Sequence, residues 1–154
     1  MSVTHLLSRA IIIHQDQLLL CKVKNLDPPF FFLPGGHVEH GEGLKEALLR
    51  ELAEEIALPF TIQRFVGCIE YSFKPPKHQT SVCHTHEVNF IFEAHSPKLT
   101  LDLVQIEDHI ELKWVPLKDI ETVDIKPEPL KKVITDWRYS EKQEIFHSHM
   151  IELM

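Results

Sequence analysis

The stretch that decides the fold is Gly35–Pro59, GGHVEHGEGLKEALLRELAEEIALP. The chain has five glycines, and four of them (Gly35, Gly36, Gly41, Gly43) fall inside this stretch, ahead of a run with helical spacing. Glycine permits positive φ and close approach of backbone to a ligand. A helix is predicted from Gly43 to Leu58, ended by Pro59, which disfavours the helical region at the residue before it. Leu48, Leu49, Leu52 and Ile56 span an arc of about 100° and are the expected core-facing stripe. Glu51, Glu54 and Glu55 occupy another arc, with Ala47 between them. Their i, i+3 and i+4 spacing brings three like charges together, which weakens a helix unless a cation is present. Hard divalent cations take oxygen ligands, and Mg²⁺ is commonly held by carboxylates, waters and substrate phosphates. A solvated acidic helix face is the plain alternative.

Outward from this stretch the chain alternates strands and turns. Ser8–His14 and Gln17–Lys24 read as a hairpin about His14-Gln15-Asp16. Phe30–Leu33 is a short strand stopped by Pro34-Gly35-Gly36. Phe60–Phe73 and Cys83–Ala94 are long strands joined by the turn-forming Lys74-Pro75-Pro76-Lys77. Leu99–Val104 and Ile110–Val115 are further strands, the second closed by Pro116. Pro129 opens a C-terminal helix, Leu130–Tyr139, where its missing N–H costs nothing. The tail from Ser140 is polar and expected to be loose. Strands around two helices make the fold class α+β or α/β, layered, with residues 1–154 as one domain.

Composition sets the outer limits. The chain has 154 residues, with 16 basic and 23 acidic side chains and a formal net charge of −7. That length supports one domain with a core of its own. No apolar run approaches the roughly 20 residues of a membrane span. Three cysteines, Cys21, Cys68 and Cys83, show no CxxC spacing and read as buried free thiols in a reducing compartment, so a soluble, cytoplasmic protein is expected. The acidic surplus disfavours phosphate-backbone binding. It is also local: Glu39–Glu55 holds six acids and two bases, a net of −4, leaving −3 for the other 137 residues.

Gly36, Glu42, Arg50-Glu51-Leu52, Glu54-Glu55 and Leu58 stand at the spacing of the Nudix box, and residues 36–58 resemble it at every fixed position but one. Ala57 replaces the usual glycine. Pro59 stops the helix in any case, so a slightly different exit with intact chemistry is expected. Leu33-Pro34-Gly35-Gly36 is similar to the strand end and turn preceding the box, and Trp114-Val115-Pro116-Leu117 to a late strand of the family. The resemblance implies an α/β/α sandwich with a mixed sheet, the box helix and a C-terminal helix. It implies hydrolysis of a phosphoanhydride in a nucleoside diphosphate linked to another group, with Mg²⁺ or Mn²⁺ as cofactor. Glu51, Glu54 and Glu55 would be metal ligands, joined by the Gly35 carbonyl. Glu42 and Arg50 would form an orienting charge pair.

The resemblance leaves the general base open among Glu51, Glu107 and Glu111, with Glu87 as an outside candidate. Glu107 and Glu111 also read as plain surface residues. His84 and His86, with His78 or His95, could hold a softer ion, or be half-exposed strand histidines. His37 and His40 sit in the box loop, and His147 and His149 in the tail. Phe30, Phe32, Tyr71, Phe73, Phe90, Phe92 and Trp114 offer stacking faces, or simply core. Three functions remain open: a pyrophosphohydrolase of small nucleotides, a silent nucleotide-binding module, and an enzyme acting on RNA ends. A homodimer is compatible with all three.

Overall fold

β3 (Gln17–Val23) shows how the layers are built. Its successive side chains point to opposite faces, and Leu18, Leu19 and Leu20 are all fully buried, so the strand is covered on both sides. Leu18 and Leu20 pack with Leu130, Val133 and Ile134 in one core, whereas Leu19 packs with Leu48, Leu52 and Ile56 in the other. Two helices on opposite sides of the strands follow from that alternation. The computed structural model describes residues 3–74, 85–103, 107–139 and 145–150.

β1 (Thr4–Ile11), β5 (Gly35–His37), β6 (Thr61–Ser72), β7 (His86–His95) and β9 (Ile145–His149) form a mixed sheet in the order β5-β1-β7-β6-β9. β1 runs parallel to β7, and β6 parallel to β9; the other two pairings are antiparallel. In the second sheet β3 pairs antiparallel with β8 (Ile110–Pro116), and also with the short β2 (Ile13–His14) and β4 (Phe31–Phe32). Helix α1 (Leu44–Glu55) packs on one side. On the other lies α2 (Leu130–Tyr139), whose Leu130, Val133, Ile134 and Trp137 recur at helical spacing. The Trp137 indole N–H donates to Glu93, which also pairs with Arg64 at 3.2 Å. The architecture is therefore the α/β/α sandwich with mixed sheet, box helix and C-terminal helix.

Several local expectations need correction. The hairpin about Gln15 and Asp16 exists, both with positive φ, but its first arm is only Ile13–His14. The residues before it belong to the other sheet, because Ser8 and Arg9 pair with Gly36 and Gly35. Those two glycines are thus strand, not turn. Residues 99–103 are not a strand; Leu99 is buried as a plug beside Phe92 and Ala94. A 3-10 helix, Leu117–Thr122, follows β8 and buries Ile120. The tail is not loose over Ile145–His149, which pairs in register with Gly67–Tyr71. Cys83, the Pro75–Lys77 turn and Val104 lie outside the described residues, as do His78, His84 and Ser140.

The helix exit also differs from expectation. α1 ends at Glu55, four residues before Pro59, and Ala57 itself takes the left-handed conformation, φ 56°. The missing glycine has not changed the exit; alanine adopts it at a cost of roughly 1 kcal/mol. Ala57→Gly should accordingly raise stability by about 0.5–1 kcal/mol with kcat/KM unchanged. A chemical-denaturation midpoint that falls, or stays put, would contradict this.

Candidate active site

The strand β5 sets the site. Gly35 and Gly36 lie against Arg9 and Ser8 of β1, and the buried Ser8 hydroxyl donates to the Leu44 carbonyl at 2.9 Å, fixing the start of α1. Gly36 faces α1. A Cβ there would stand 2.6 Å from the Glu51 carboxyl carbon, so the absent side chain is the space Glu51 fills.

Arg50 organises the acids around it. Its Nε donates to Glu42 Oε2 at 2.7 Å and its Nη2 to Glu42 Oε1 at 3.0 Å, a two-point fork. Nη1 reaches Glu51 at 3.1 Å and Glu54 at 3.4 Å, and Nη2 also donates to the His37 carbonyl at 3.0 Å. The Glu39 N–H caps Glu42 Oε1 at 3.0 Å. The Arg50 hydrogen bonds, then that backbone donor, hold the Glu42 carboxyl down at about 2. Glu42, Arg50, Glu51 and Glu54 are thereby brought together.

Glu55 behaves differently. It is buried, accepting from the Gly35 N–H at 3.3 Å and from the Cys21 thiol at 3.8 Å. Desolvation pushes its pKa up to about 8, against the pull of Arg9 and the Gly35 N–H; Glu51 and Glu107 add to the rise. Burial also raises the Cys21 thiol, with the Glu55 charge second. Glu51 is raised by desolvation, opposed by Arg50. A carboxylate whose charge is this poorly solvated is a ready partner for a cation. Carboxylate oxygens with a nearby carbonyl suit a hard divalent ion. As the side chains stand, no three His, Cys, Asp or Glu among the described residues converge on one point, since Glu55 turns inward while Glu51 and Glu54 turn to Arg50.

Arg9 was not among the candidates read from sequence. Its Nη1 donates to the carbonyls of Leu33 at 3.1 Å and Gly35 at 3.0 Å, and its guanidinium lies over the Phe32 ring at 5.6 Å. The Gly35 carbonyl thus already accepts one hydrogen bond, leaving its second lone pair. The sequence hint is a lone cation between Leu6-Leu7 and the apolar run Ala10–Ile13.

The base candidates separate by position. Glu107 carries a charge felt by both Glu55 and Cys21, and it pairs with His109 at 3.7 Å. Glu111 pairs with Lys22 at 3.5 Å, and register places that pair on the face of β3 opposite Cys21. Glu87 accepts from the Asn89 amide at 3.0 Å. Among the histidines, His86 and His95 end β7 at opposite termini, so they do not meet. His86 Nδ1 bonds Thr4 at 2.9 Å, His37 packs edge-on to His5, and His40 is exposed. His147 meets Asp136 at 3.7 Å, and His149 stacks on Tyr71. Phe90, Phe92 and Trp114 belong to the α1-side core, whereas Tyr71 stacks on Phe73 and Phe30 lies beside Phe32.

The family model described as NUDIX domain matches residues 4–137. The chain belongs to the Nudix family and is a hydrolase of the phosphoanhydride-cleaving type. It is 28% identical over 131 residues to an ADP-ribose pyrophosphatase of Methanocaldococcus jannaschii, covering 83% of this chain and 71% of that one. A putative 8-oxo-dGTP diphosphatase of Bacillus subtilis is 35% identical over 69 residues, 45% of this chain and 43% of its own length. The crystal structure of a MutT protein from Methanosarcina mazei Go1 superposes with a TM-score of 0.69 at 20% identity, over 92% of this chain and 98% of the other. No helix among the described residues is long and apolar enough to cross a membrane.

Proposed function

We propose that the protein hydrolyses a nucleoside diphosphate linked to a further group, using Mg²⁺ or Mn²⁺, with residues 1–154 acting as one catalytic domain. The observation that carries this reading is Glu51 seated in the gap at Gly36 and tied to the Arg50 fork, with Glu54 on the same arginine and Glu55 one turn further on. Glu51, Glu54 and Glu55 would hold the cation, with the Gly35 carbonyl as a further oxygen donor. When bound, the cation offsets the repulsion between these acids and a diphosphate, polarises a phosphoryl oxygen and lowers the pKa of a coordinated water. Arg50 keeps Glu51 and Glu54 oriented, and Glu42 holds Arg50 by its fork. Arg9 fixes the Gly35 carbonyl from below. The proton of an attacking water would pass to Glu107, whose charge reaches Glu55, or to Glu51, seated at Gly36.

The relatives' stated activities, on ADP-ribose and on 8-oxo-dGTP, give the first two substrates to try. A panel of these two, other nucleoside triphosphates and dinucleoside polyphosphates, with Mg²⁺ and with Mn²⁺ at mildly alkaline pH, should release phosphate-containing products. Run in ¹⁸O-water, it identifies the phosphorus attacked. Glu54→Gln should lower kcat by at least about 100-fold. Full turnover by Glu54→Gln would sink the assigned roles. Tight binding without turnover in either metal would favour a silent module, and salt-steep activity confined to RNA ends would favour the RNA reading.

A further inference from the structure

Cys21 is the fully buried thiol among the described residues, and the mechanism above gives it no task. In β3 it stands two residues after Leu19, so both side chains point to the α1 side. Phe32 of β4 and Leu112 of β8 are its partners across the sheet. Glu55, the last residue of α1, lies over it, and the thiol donates to Glu55 Oε2 at 3.8 Å. The Gly35 N–H donates to the same oxygen at 3.3 Å. Three separate elements, β3, β5 and α1, therefore meet at one carboxylate oxygen.

A carboxylate oxygen offers two lone pairs, and these two donors occupy both of them on Oε2. A cation approaching Glu55 is thereby directed to Oε1. The last torsion of a glutamate side chain is broad, so one bond at Oε2 would leave the carboxylate plane loosely set. The second donor, from a different strand, fixes it. We propose that Cys21 is a positioning residue for the divalent cation: its hydrogen bond to Glu55 Oε2 holds Glu55 Oε1 toward the metal. The thiol touches neither substrate nor reacting atoms. This deepens the pyrophosphohydrolase reading and rests on it for the cation at Glu55. Donors behind a ligating carboxylate change metal affinity by about 10–100-fold, and a thiol, as a weak donor, belongs at the low end.

Two measurements, neither needing turnover, test this. The first needs no metal and no substitution at Cys21. In the Cys68→Ala/Cys83→Ala protein Cys21 is the single thiol, and its S–H stretching band is recorded by infrared spectroscopy in EDTA at mildly alkaline pH. Glu55→Gln in that background should move the band to higher wavenumber, because an amide oxygen accepts more weakly than a carboxylate. An unmoved band overturns the proposal, whatever the Cys21 variants do. The second is Mn²⁺ affinity, from the electron paramagnetic resonance signal of the free ion, for substrate-free wild type, Cys21→Ser and Cys21→Ala. Cys21→Ala should bind Mn²⁺ about 10-fold more weakly, and Cys21→Ser, which keeps a donor, within about 2-fold of wild type. Packing alone would put the variants in the opposite order, since a buried hydroxyl costs more than a methyl group. Equal affinity in all three proteins, or Cys21→Ser as weak as Cys21→Ala, overturns the proposal. Mn²⁺ binding by the wild type with no difference among variants removes this inference alone. A wild type that takes up no Mn²⁺, with the band shift intact, removes the cation reading and the task of this bond with it.

Discussion

Gly35→Ala is expected to destabilise the protein strongly, whereas Gly36→Ala is expected to leave it folded and nearly inactive. The two neighbours differ in what surrounds them. Gly35 has φ 126°, a conformation side chains rarely adopt, and a Cβ there would meet the Ser8 carbonyl oxygen at 2.1 Å. That oxygen is backbone of the adjoining strand β1 and has nowhere to go. Strain and clash together should cost at least about 3 kcal/mol. Tm should then fall by roughly 6–12 °C for a chain of this size. Gly36 carries no such φ, and the obstacle to its Cβ is the tip of the Glu51 side chain at 2.6 Å. A flexible side chain can swing aside, so the fold tolerates the methyl group and Tm should move by no more than about 2 °C. Glu51 then leaves both its seat and its bond to Arg50. Loss of a preorganised ligand should lower kcat/KM by about 100–1000-fold. Thermal melts with kinetics on both variants test the pair. Unfolded Gly36→Ala would mean that the Glu51 side chain cannot swing aside, and fully active Gly36→Ala would remove Glu51 from the role assigned to it.

The same helix shows where the sequence was readable and where it was not. The strands Gln17–Val23, Thr61–Ser72, His86–His95 and Ile110–Pro116 and the helix Leu130–Tyr139 rest on local signals, and the structure has them close to where expected, whereas the strand expected from Leu99 is absent over residues 99–103. The face of α1 was misjudged. Leu49 was assigned to the core and is 43% exposed, while Glu55 is 6% exposed. Glu55 stands seven residues after Leu48, so the two are only about 20° apart around the helix. Hydrophobicity alone centres the buried face on the leucines; the true face runs from Ala47 through Glu55 and Leu48 to Ile56. The helix angle alone places Glu55 within the buried arc; its charge is what sets it apart from the leucines there. β5 and β9 were missed for another reason. Neither carries a recognisable strand pattern, and each exists through pairing with a distant segment: Gly35 with Arg9, and Ile145 with Gly67. Arg9 is not legible in the sequence for the same reason, since its contacts with the Leu33 and Gly35 carbonyls come only from the tertiary fold.

Glu55→Gln should abolish turnover by about 1000-fold or more and, in the absence of metal, make the protein more stable. Gln keeps an oxygen for the Gly35 N–H and the Cys21 thiol while removing a charge that burial disfavours. The pH dependence gives the comparison its discrimination. In the folded protein the Glu55 carboxyl titrates near 8, against an ordinary value of 4.5. Between those limits the folded state holds a proton that the unfolded state has released, so wild-type stability falls as pH rises from 4.5 to 8. Below 4.5 the acid is neutral in both states, and wild type and variant should melt together. Above 8 the variant should be more stable by about 2 kcal/mol or more, a Tm rise of roughly 4–8 °C. Millimolar Mg²⁺ should reverse the order, because only the wild type gains stability from binding it. Melts in EDTA and in Mg²⁺, at pH 4.5, 6.5 and 8.5, read out all three expectations. A variant that is less stable than wild type at pH 8.5 in EDTA would mean that Glu55 is held by structural bonds stronger than its desolvation, and a variant that still turns over substrate would remove it from the metal-binding set.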